Sequence, residues 1–270
     1  MDGADQTAYD SAWAAADVFV SLSDNIQETF GITPLEAMAA GLPVIVSDWN
    51  GYKDTVRDGV DGFRIPVIMP SAGTGTDLAM RHDAEIDNYD YYIGRVSMAT
   101  VIDVVVLVER MIVLAQNREL RMSFGLAGHA RVRAEFDWPV ILDRYTALTN
   151  ELSALRNFAQ DNSNQLGRLN RPDPFALFAH YPTQILSGHM SVTINPVLAA
   201  QIESLLALGI SRFVIDPATL PREAVLHVLA KAQSAHNVAN LLAALPHFDP
   251  SVSTRALMWL VKMGILSLSD

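Results

Sequence analysis

The first 50 residues alternate two short apolar runs with one helical stretch. Ala15–Ser21 and Pro43–Ser47 are apolar and rich in β-branched residues, which is typical of buried strands. Between them, Thr33–Ala40 has a helical pattern, with Pro34 at its first position and Gly41 just past its end. A strand, a helix and a second strand in so short a stretch predict a right-handed βαβ unit with parallel strands.

The next 110 residues predict a third strand and then mainly helices. Phe63–Val67 reads as a short strand. Residues 69–76 form a loop rich in Pro, Gly, Ser and Thr, and the acidic, tyrosine-bearing residues 77–92 show no clear periodicity. Helices are then predicted at Thr100–Gln116, Arg118–Glu135 and Pro139–Asn157, with Asp137 as N-cap of the last.

A polar stretch with two prolines, residues 160–174, predicts the main domain boundary. We therefore divide the chain into a domain at residues 1–158, a linker at 159–180 and a small, mainly helical module at 181–270. The module is expected to be winged-helix-like, with helices at Asn195–Leu208, Pro221–Gln233, Val238–Leu245 and Val252–Met263 and a final strand at Ile265–Leu268.

Composition excludes several classes of protein. No run of about 18 apolar residues exists, so no transmembrane segment is expected. The acidic N-terminus does not resemble a signal peptide, and the absence of cysteine excludes disulfides and thiolate metal sites. The net charge is −11, and the acidic excess lies in residues 1–158. No basic footprint for a phosphate backbone is present, which argues against a nucleic-acid partner.

The residues that indicate a ligand-binding function are concentrated in Glu28–Gly51. Gly31 allows a ligand to approach the backbone closely, and the start of the next helix, at Thr33, offers free N–H groups to an anion or a sugar hydroxyl. Glu28 and Glu36 can each accept hydrogen bonds from two hydroxyls, which suits the vicinal diols of a ribose or a hexose. A purely structural alternative remains open, because Thr33 and Glu36 also match a helix capping box.

This stretch resembles the family 4 glycosyltransferases of the GT-B class, whose signature pairs two glutamates with seven residues between them. The match comprises Glu28, Phe30, Gly31, Glu36, Ala37, Met38, Ala39, Gly41, Pro43 and Val44, with Ile45 as a conservative match. Residues 16–21, Asp48, Gly51, residues 58–63 and residues 136–138 extend the likeness, which covers about residues 10–157. The implied fold is α/β, with the parallel sheet of a Rossmann-like GT-B donor domain.

The resemblance implies a retaining transfer of a sugar from a nucleotide sugar to a glycan or lipid-linked acceptor, in cell-surface polysaccharide or glycan assembly. Glu28 would be the catalytic residue that orients the donor sugar, and Glu36 would bind the ribose. The implied donor-binding residues are Glu28, Thr29, Phe30, Gly31, Ile32, Thr33 and Glu36. No cofactor and no metal are implied, the donor being a UDP- or GDP-sugar, and the expected location is the cytoplasm, including the inner membrane face.

Two parts of the family pattern are not found in this sequence. The acceptor domain and the first strands of the donor domain, which carry the Arg and Lys that bind the diphosphate, would precede residue 28, yet residues 1–27 contain neither Arg nor Lys. We therefore expect an incomplete sheet, a chain that is inactive alone and binds nucleotide sugar weakly, and a protein partner that supplies the other half.

Other interpretations remain open. The chain could be a non-catalytic interaction module derived from a glycosyltransferase, or a phosphorylase of the same fold. Residues 69–100 could form an acceptor-side lid or a surface decoration, and their tyrosines are expected to pack rather than to stack on sugar. The helix at residues 251–263 has the place of a DNA-recognition helix, but with only Arg255 and Lys262 as basic residues it favours packing. Residues 172–182 are expected to dock on a neighbouring part of the protein.

Overall fold

The computed structural model describes residues 5–158 and 172–269, and it begins with a three-stranded parallel sheet. The strands lie in the order β1-β2-β3, with Phe19 opposite Val44 and Val44 opposite Gly62. The elements are α1 Gln6–Ala15, β1 Phe19–Ser21, α2 Ile32–Ala39, β2 Val44–Ser47, α3 Tyr52–Thr55 and β3 Gly62–Ile65. The predicted βαβ unit is confirmed.

The middle strand, β2, is buried along its whole length, because both faces of this sheet are covered. Val44 and Val46 point to one face, where they pack with residues of α2 such as Met38. Ile45 points to the other face and packs with Leu114 and Phe124 from two later helices. A strand without polar alternation is what a parallel sheet covered on both faces requires.

The predicted third strand is divided into two strands that belong to different sheets. β3 ends at Ile65, and β4 begins at Val67 on the other side of Pro66. β4 is the centre of a second sheet, antiparallel to β5 and parallel to β6. The second sheet and the helices between its strands are β4 Val67–Met69, α4 Thr76–Asp83, α5 Tyr89–Met98, β5 Val101–Ile102 and β6 Gln184–Ile185.

The stretch that shows no periodicity in the sequence therefore contains two helices. α4 and α5 pack into the core through Leu78, Tyr92 and Val96. Tyr91 stacks on Phe213 at a centroid distance of 4.4 Å. These two tyrosines are used in packing, as expected.

Three longer helices follow β5: α6 Val104–Gln116, α7 Arg118–Arg131 and, after a π-helical turn at Val132–Phe136, α8 Trp138–Phe158. The first starts later than predicted because Asp103 caps it, accepting hydrogen bonds from the N–H groups of Val105 and Val106. Asn117 caps α7 in the same manner and separates it from α6.

The C-terminal region contains short helices and a two-stranded antiparallel sheet, in which β7 pairs with β8. The long helix predicted at Asn195–Leu208 is wrong, because two short helices occupy this range. The elements are α9 Pro174–Leu177, β7 Ser191–Ile194, α10 Pro196–Ala199, α11 Ile202–Leu206, α12 Gly209–Val214, α13 Arg222–Ala232, α14 Val238–Ala243, α15 Pro250–Lys262 and β8 Leu266–Ser269. A winged-helix relationship of α13–α15 and this sheet stays a prediction.

One hydrophobic cluster joins the C-terminal helices to residues 67–102. It contains Leu78 and Val96 together with Val225, Leu257 and Trp259. The domain boundary at residues 159–180 stays a prediction, and its residues 159–171 lie outside the described ranges. In those ranges, no helix is both long and apolar enough to cross a membrane.

The basic residues of α15 are used inside the protein. Arg255 is buried, forms a bidentate ion pair with Asp77 and donates to the carbonyl oxygens of Thr74 and Thr219. Lys262 binds Asp24 in the loop after β1. The expectation that this helix packs against the rest of the chain is confirmed.

Candidate functional site

The candidate site begins where β1 ends. Residues 22–31 form the loop at the carboxyl end of this parallel strand, and α2 starts directly behind it. Ligands of open α/β sheets bind outside the carboxyl ends of the strands. The loop with Glu28 and the helix with Glu36 therefore lie where this fold binds ligands.

Gly31 is the N-cap of α2 and has a φ of +75°, in the left-handed region. A Cβ atom on it would lie 2.0 Å from Cε1 of Tyr52. The helix begins at Ile32, and its start has no side-chain cap among the described residues. The capping-box interpretation of Thr33 and Glu36 is therefore wrong: Thr33 lies inside the helix, and Pro34 is its third residue rather than its first.

Neighbouring groups fix the Glu28 carboxylate. The backbone N–H of Phe30 donates to Glu28 Oε1 at 3.3 Å, and the hydroxyl of Tyr52 donates to Oε2 at 3.4 Å. The same hydroxyl lies 2.8 Å from Ser21 Oγ. Burial raises the pKa of Tyr52, and the Glu28 charge adds to that rise. Tyr52 therefore remains a protonated donor at neutral pH.

The turn after β2 contacts the same loop and holds it in place. The Asn50 amide donates to the carbonyl oxygens of Glu28 and Thr29, at 3.3 and 3.1 Å. A Cβ atom on Gly51 would lie 2.3 Å from the Thr29 oxygen, so the two loops approach more closely than any other residue type permits. Close packing thus accounts for the glycines at positions 31 and 51.

Glu36 lies on the exposed side of α2, where its carboxylate accepts a hydrogen bond from the Tyr9 hydroxyl of α1 at 3.3 Å. The other predicted donor-binding residues differ in exposure. Glu28 and Gly31 are half-buried, whereas Thr29, Phe30, Ile32, Thr33 and Glu36 are exposed. The exposed group includes two large apolar side chains, Phe30 and Ile32, at 44% and 66%. An apolar rim beside two carboxylates and a free helix start can contact both the faces and the hydroxyls of a sugar.

Sequence reasoning did not find four residues of this site: Tyr9, Ser21, Asn50 and Tyr52. Ser21 and Asn50 lie inside recognisable strand and turn segments, but their hydrogen bonds depend on loops brought together by the fold. The position of Tyr52 directly after Gly51 is the only signal that could have drawn attention to it.

The turn at residues 48–53 is held by the segment 180–183. Asp48 accepts from Thr183 Oγ1 at 2.6 Å, and Tyr181 O accepts from the N–H of Asn50. Lys53 donates to the carbonyl oxygens of His180 and Pro182, and burial lowers its pKa. The expected docking of residues 172–182 is confirmed, and Lys53 is engaged there.

A metal centre and a groove are two other kinds of site that could bind a ligand. The described residues contain no group of three His, Asp or Glu side chains that could hold a metal ion. A groove of about 490 Å³ lies between β4, β5, the end of α15 and β8. None of its lining residues belongs to Glu28–Gly51, so the groove does not contribute to the candidate site.

A protein-family comparison matches the segment that contains this site. Residues 3–70 match the family of glycosyl transferases group 1. The match covers α1 to β4 and includes both glutamates and the turn at Asn50–Gly51. The similarity is therefore to a glycosyltransferase over that segment.

Relatives with different names match parts of this chain. A phosphatidyl-myo-inositol mannosyltransferase of Mycobacterium tuberculosis is 29% identical over 131 residues, which are 48% of this chain and 26% of the relative. A D-inositol 3-phosphate glycosyltransferase of Geodermatophilus obscurus is 45% identical over 53 residues, 20% of this chain and 11% of that protein. A sucrose synthase of Melioribacter roseus is 36% identical over 61 residues, 23% and 8% of the two chains.

The matched region spans about a quarter of the length of the mycobacterial relatives. Two of these three names specify glycosyl transfer, and the compounds named in the three differ, so no substrate is inferred for this chain from them.

Proposed function

We propose that residues 5–158 bind the donor of a sugar-transfer reaction, a nucleotide sugar, and serve a glycosyltransferase that modifies a glycan or a lipid-linked acceptor. The observation that carries this proposal is the pair of carboxylates, Glu28 and Glu36, on either side of the uncapped start of α2. Both glutamates belong to the segment that matches the glycosyl transferases group 1.

Each carboxylate is assigned a hydroxyl-bearing part of the donor. Glu28, held by Tyr52 and by the Phe30 N–H, orients the hydroxyls of the transferred sugar near the reacting carbon. Glu36 is exposed and is assigned to the ribose diol, where the ribose takes the place of its Tyr9 partner. A carboxylate fixed by the protein loses little further freedom when it binds, which favours Glu28 as the catalytic residue.

The diphosphate is assigned to the start of α2. The N–H groups of Gly31, Ile32 and Thr33 and the helix dipole favour an anion at this position. The two lysines near the loop are already engaged: Lys53 donates to carbonyl oxygens of residues 180 and 182, and Lys262 binds Asp24. We therefore propose weak donor binding and no transferase turnover by these 270 residues alone.

The reaction proposed for the complete site is transfer with retention and without an essential metal. In that mechanism the protein positions the donor and stabilises the departing diphosphate through N–H groups and fixed dipoles. The support is the family likeness of the segment together with the helix start at the place where the diphosphate would leave.

A titration followed by two-dimensional amide NMR tests this proposal with the whole chain. UDP-glucose and GDP-mannose are added separately, with free glucose and pyrophosphate as controls. We expect one of the nucleotide sugars to shift the amides of residues 28–36, with saturation near a millimolar dissociation constant, about 4 kcal/mol of binding free energy. Absence of any shift in this stretch would contradict the donor site, whereas a micromolar constant would contradict the weak binding.

The second candidate is a non-catalytic interaction module. It is favoured by the contacts of residues 180–183, which cover one side of the turn that supports the site. This candidate predicts no saturable shift in residues 28–36 with either nucleotide sugar, so the same titration separates the two functions.

A further inference from the structure

Helix α8 carries a regular apolar seam that the rest of the described chain does not cover. Apolar residues recur at alternating intervals of three and four over three heptads, at Trp138, Ile141, Tyr145, Leu148, Leu152 and Leu155. This is the a/d pattern of a coiled coil, in which each seam residue packs into a hole on a facing helix. The seam is about 26 Å long at 1.5 Å per residue.

Five of the six seam residues are exposed, from Leu148 at 47% to Trp138 at 72%, and Ile141 is half-buried. Leu142, next to the seam, is exposed as well. No residue of α8 belongs to a hydrophobic core cluster of the described residues. A stripe of this size on a regular helix is typical of a protein–protein contact.

We propose that α8 pairs antiparallel with α8 of a second copy of this chain. With the two helices centred on each other, every seam residue meets a seam residue. Trp138 packs on Leu155 of the partner subunit, Ile141 on Leu152 of the partner subunit, and Tyr145 on Leu148 of the partner subunit. Each large or branched side chain is thus matched with a leucine, and all six layers are filled.

The charges beside the seam are complementary to a second copy of α8, and the pairing of the layers favours the antiparallel direction. Arg144 and Glu151 are exposed and occupy the two g positions that lie between the ends of the seam. In the antiparallel pair, Arg144 faces Glu151 of the partner subunit, and the symmetry of the pair produces this contact twice. A parallel pair would instead place Trp138 against its own copy and Tyr145 against its own copy. It would pair Glu151 with Arg156 of the partner subunit but leave Arg144 opposite the uncharged Thr149.

Sedimentation equilibrium of the whole chain tests whether α8 is an interface. We expect a dimer at about 100 µM that dissociates on dilution. Leu148→Glu buries a charge in the central layer and should weaken the dimer by roughly 100-fold. The matched control is Val105→Glu on α6, which also places a charge at an exposed apolar position but lies outside the seam, and it should leave the dissociation constant unchanged.

A monomeric chain at this concentration, or a dimer that Leu148→Glu leaves intact, would overturn the proposal. Circular dichroism of both glutamate variants confirms that they are folded. If Val105→Glu instead dissociates the dimer and Leu148→Glu does not, the exposed side of α6 is the interface and the proposal is wrong.

Charge reversal and cross-linking test the direction. Arg144→Glu alone and Glu151→Arg alone should each weaken the dimer, and the double reversal should restore it. The chain has no cysteine, so introduced cysteines report directly on distance. The double variant Trp138→Cys, Leu155→Cys should form an intermolecular disulfide, whereas Leu155→Cys alone should not, because the antiparallel pair holds those positions about 25 Å apart. Efficient cross-linking of Leu155→Cys alone would overturn the antiparallel arrangement.

Discussion

Both the backbone conformation and the close packing at position 31 require glycine. Its φ of +75° excludes most side chains, and the Tyr52 ring occupies the space where its Cβ would lie. Tyr52 in turn donates to Glu28. A change at Gly31 therefore reaches the proposed catalytic carboxylate through one intermediate side chain.

Gly31→Ala should destabilise the protein more than Gly41→Ala does. Both glycines have a positive φ, +75° and +79°, so both substitutions cost about 1 kcal/mol of backbone strain. A Cβ at Gly41 meets no atom within 4 Å, whereas a Cβ at Gly31 requires the Tyr52 ring to move, which we expect to cost about 1–3 kcal/mol more. Chemical denaturation of the two variants measures the difference.

Equal free energies of unfolding for Gly31→Ala and Gly41→Ala would contradict the close packing of Gly31 on Tyr52.

The residue scale also shows how far the sequence could predict this site. Glu28, Gly31 and Glu36 belong to one continuous motif, so they could be recognised. Tyr52 and Asn50 act on the loop across more than 20 residues of chain. Their partners are two carbonyl oxygens, the Ser21 hydroxyl and the Glu28 carboxylate. Nothing in their own neighbourhood along the sequence encodes those contacts.

At the scale of elements, Asp61 ties the loop before β3 to α7. Its carboxylate is fully buried and accepts hydrogen bonds from Arg57 in the same loop and from Arg131 on α7. Arg131 also donates to the carbonyl oxygens of Asp54 and Thr55 at the end of α3. One ion cluster thus fixes three elements behind the candidate site.

Asp61→Asn should remove part of the acid sensitivity of the protein. Burial by itself raises the pKa of Asp61, but the hydrogen bonds from Arg57 and Arg131 outweigh it, and the net pKa is below the ordinary value. As the pH falls, the Asp61 carboxylate is therefore protonated in the unfolded chain before it is protonated in the folded protein, at a pKa of about 3.9. The stabilisation is fully present above that pH and is lost as the pH falls through the lower folded-state pKa.

The free energy of unfolding, measured by denaturant titration from neutral pH to below pH 4, checks this. Asp61→Asn should cost about 3 kcal/mol at neutral pH, because Arg57 and Arg131 lose their charged partner. Its deficit relative to the unmodified protein should shrink below the unfolded-state pKa. The control, Asp83→Asn at an exposed position of α4, should show neither effect. A deficit of Asp61→Asn that stays constant with pH would contradict the depressed pKa.

Helix boundaries show what the pattern of apolar residues does and does not encode. The βαβ order was predictable because β2 is continuously apolar and its neighbours are short. The starts of α2 and α6 were misplaced, since Gly31 and Asp103 cap these helices and the apolar pattern does not register a cap. Helices α4 and α5 were missed because their buried faces depend on C-terminal residues far along the chain.

At the scale of the whole molecule, polar contacts bind the C-terminal region to the N-terminal half. Arg255 reaches Asp77, and Lys262 reaches Asp24 and the carbonyl oxygens of Ser97 and Thr100. Asp24 lies in the same loop after β1 that carries Glu28. The C-terminal region therefore supports the loop of the candidate site through α15, which a reading of either region alone could not predict.

The donor-binding proposal and the self-association proposal rest on different parts of the molecule. Residues 3–70 carry the similarity to the glycosyl transferases group 1. Residues 180–185 of the C-terminal region contact the turn at Asp48–Lys53 and add a strand to the second sheet. The donor-binding proposal depends on the first part. The self-association proposal depends on α8 and stands independently of it.

The central claim is that Glu28 grips the sugar and Glu36 grips the ribose of one nucleotide-sugar donor. The most direct measurement compares Glu28→Gln, Glu36→Gln and the exposed control Glu109→Gln in NMR titrations with a nucleotide sugar and with the matching nucleoside diphosphate. We predict that Glu36→Gln weakens both ligands, that Glu28→Gln weakens only the nucleotide sugar, and that Glu109→Gln changes neither. Equal effects of Glu28→Gln on both ligands, or no effect of either site variant, would contradict the assignment.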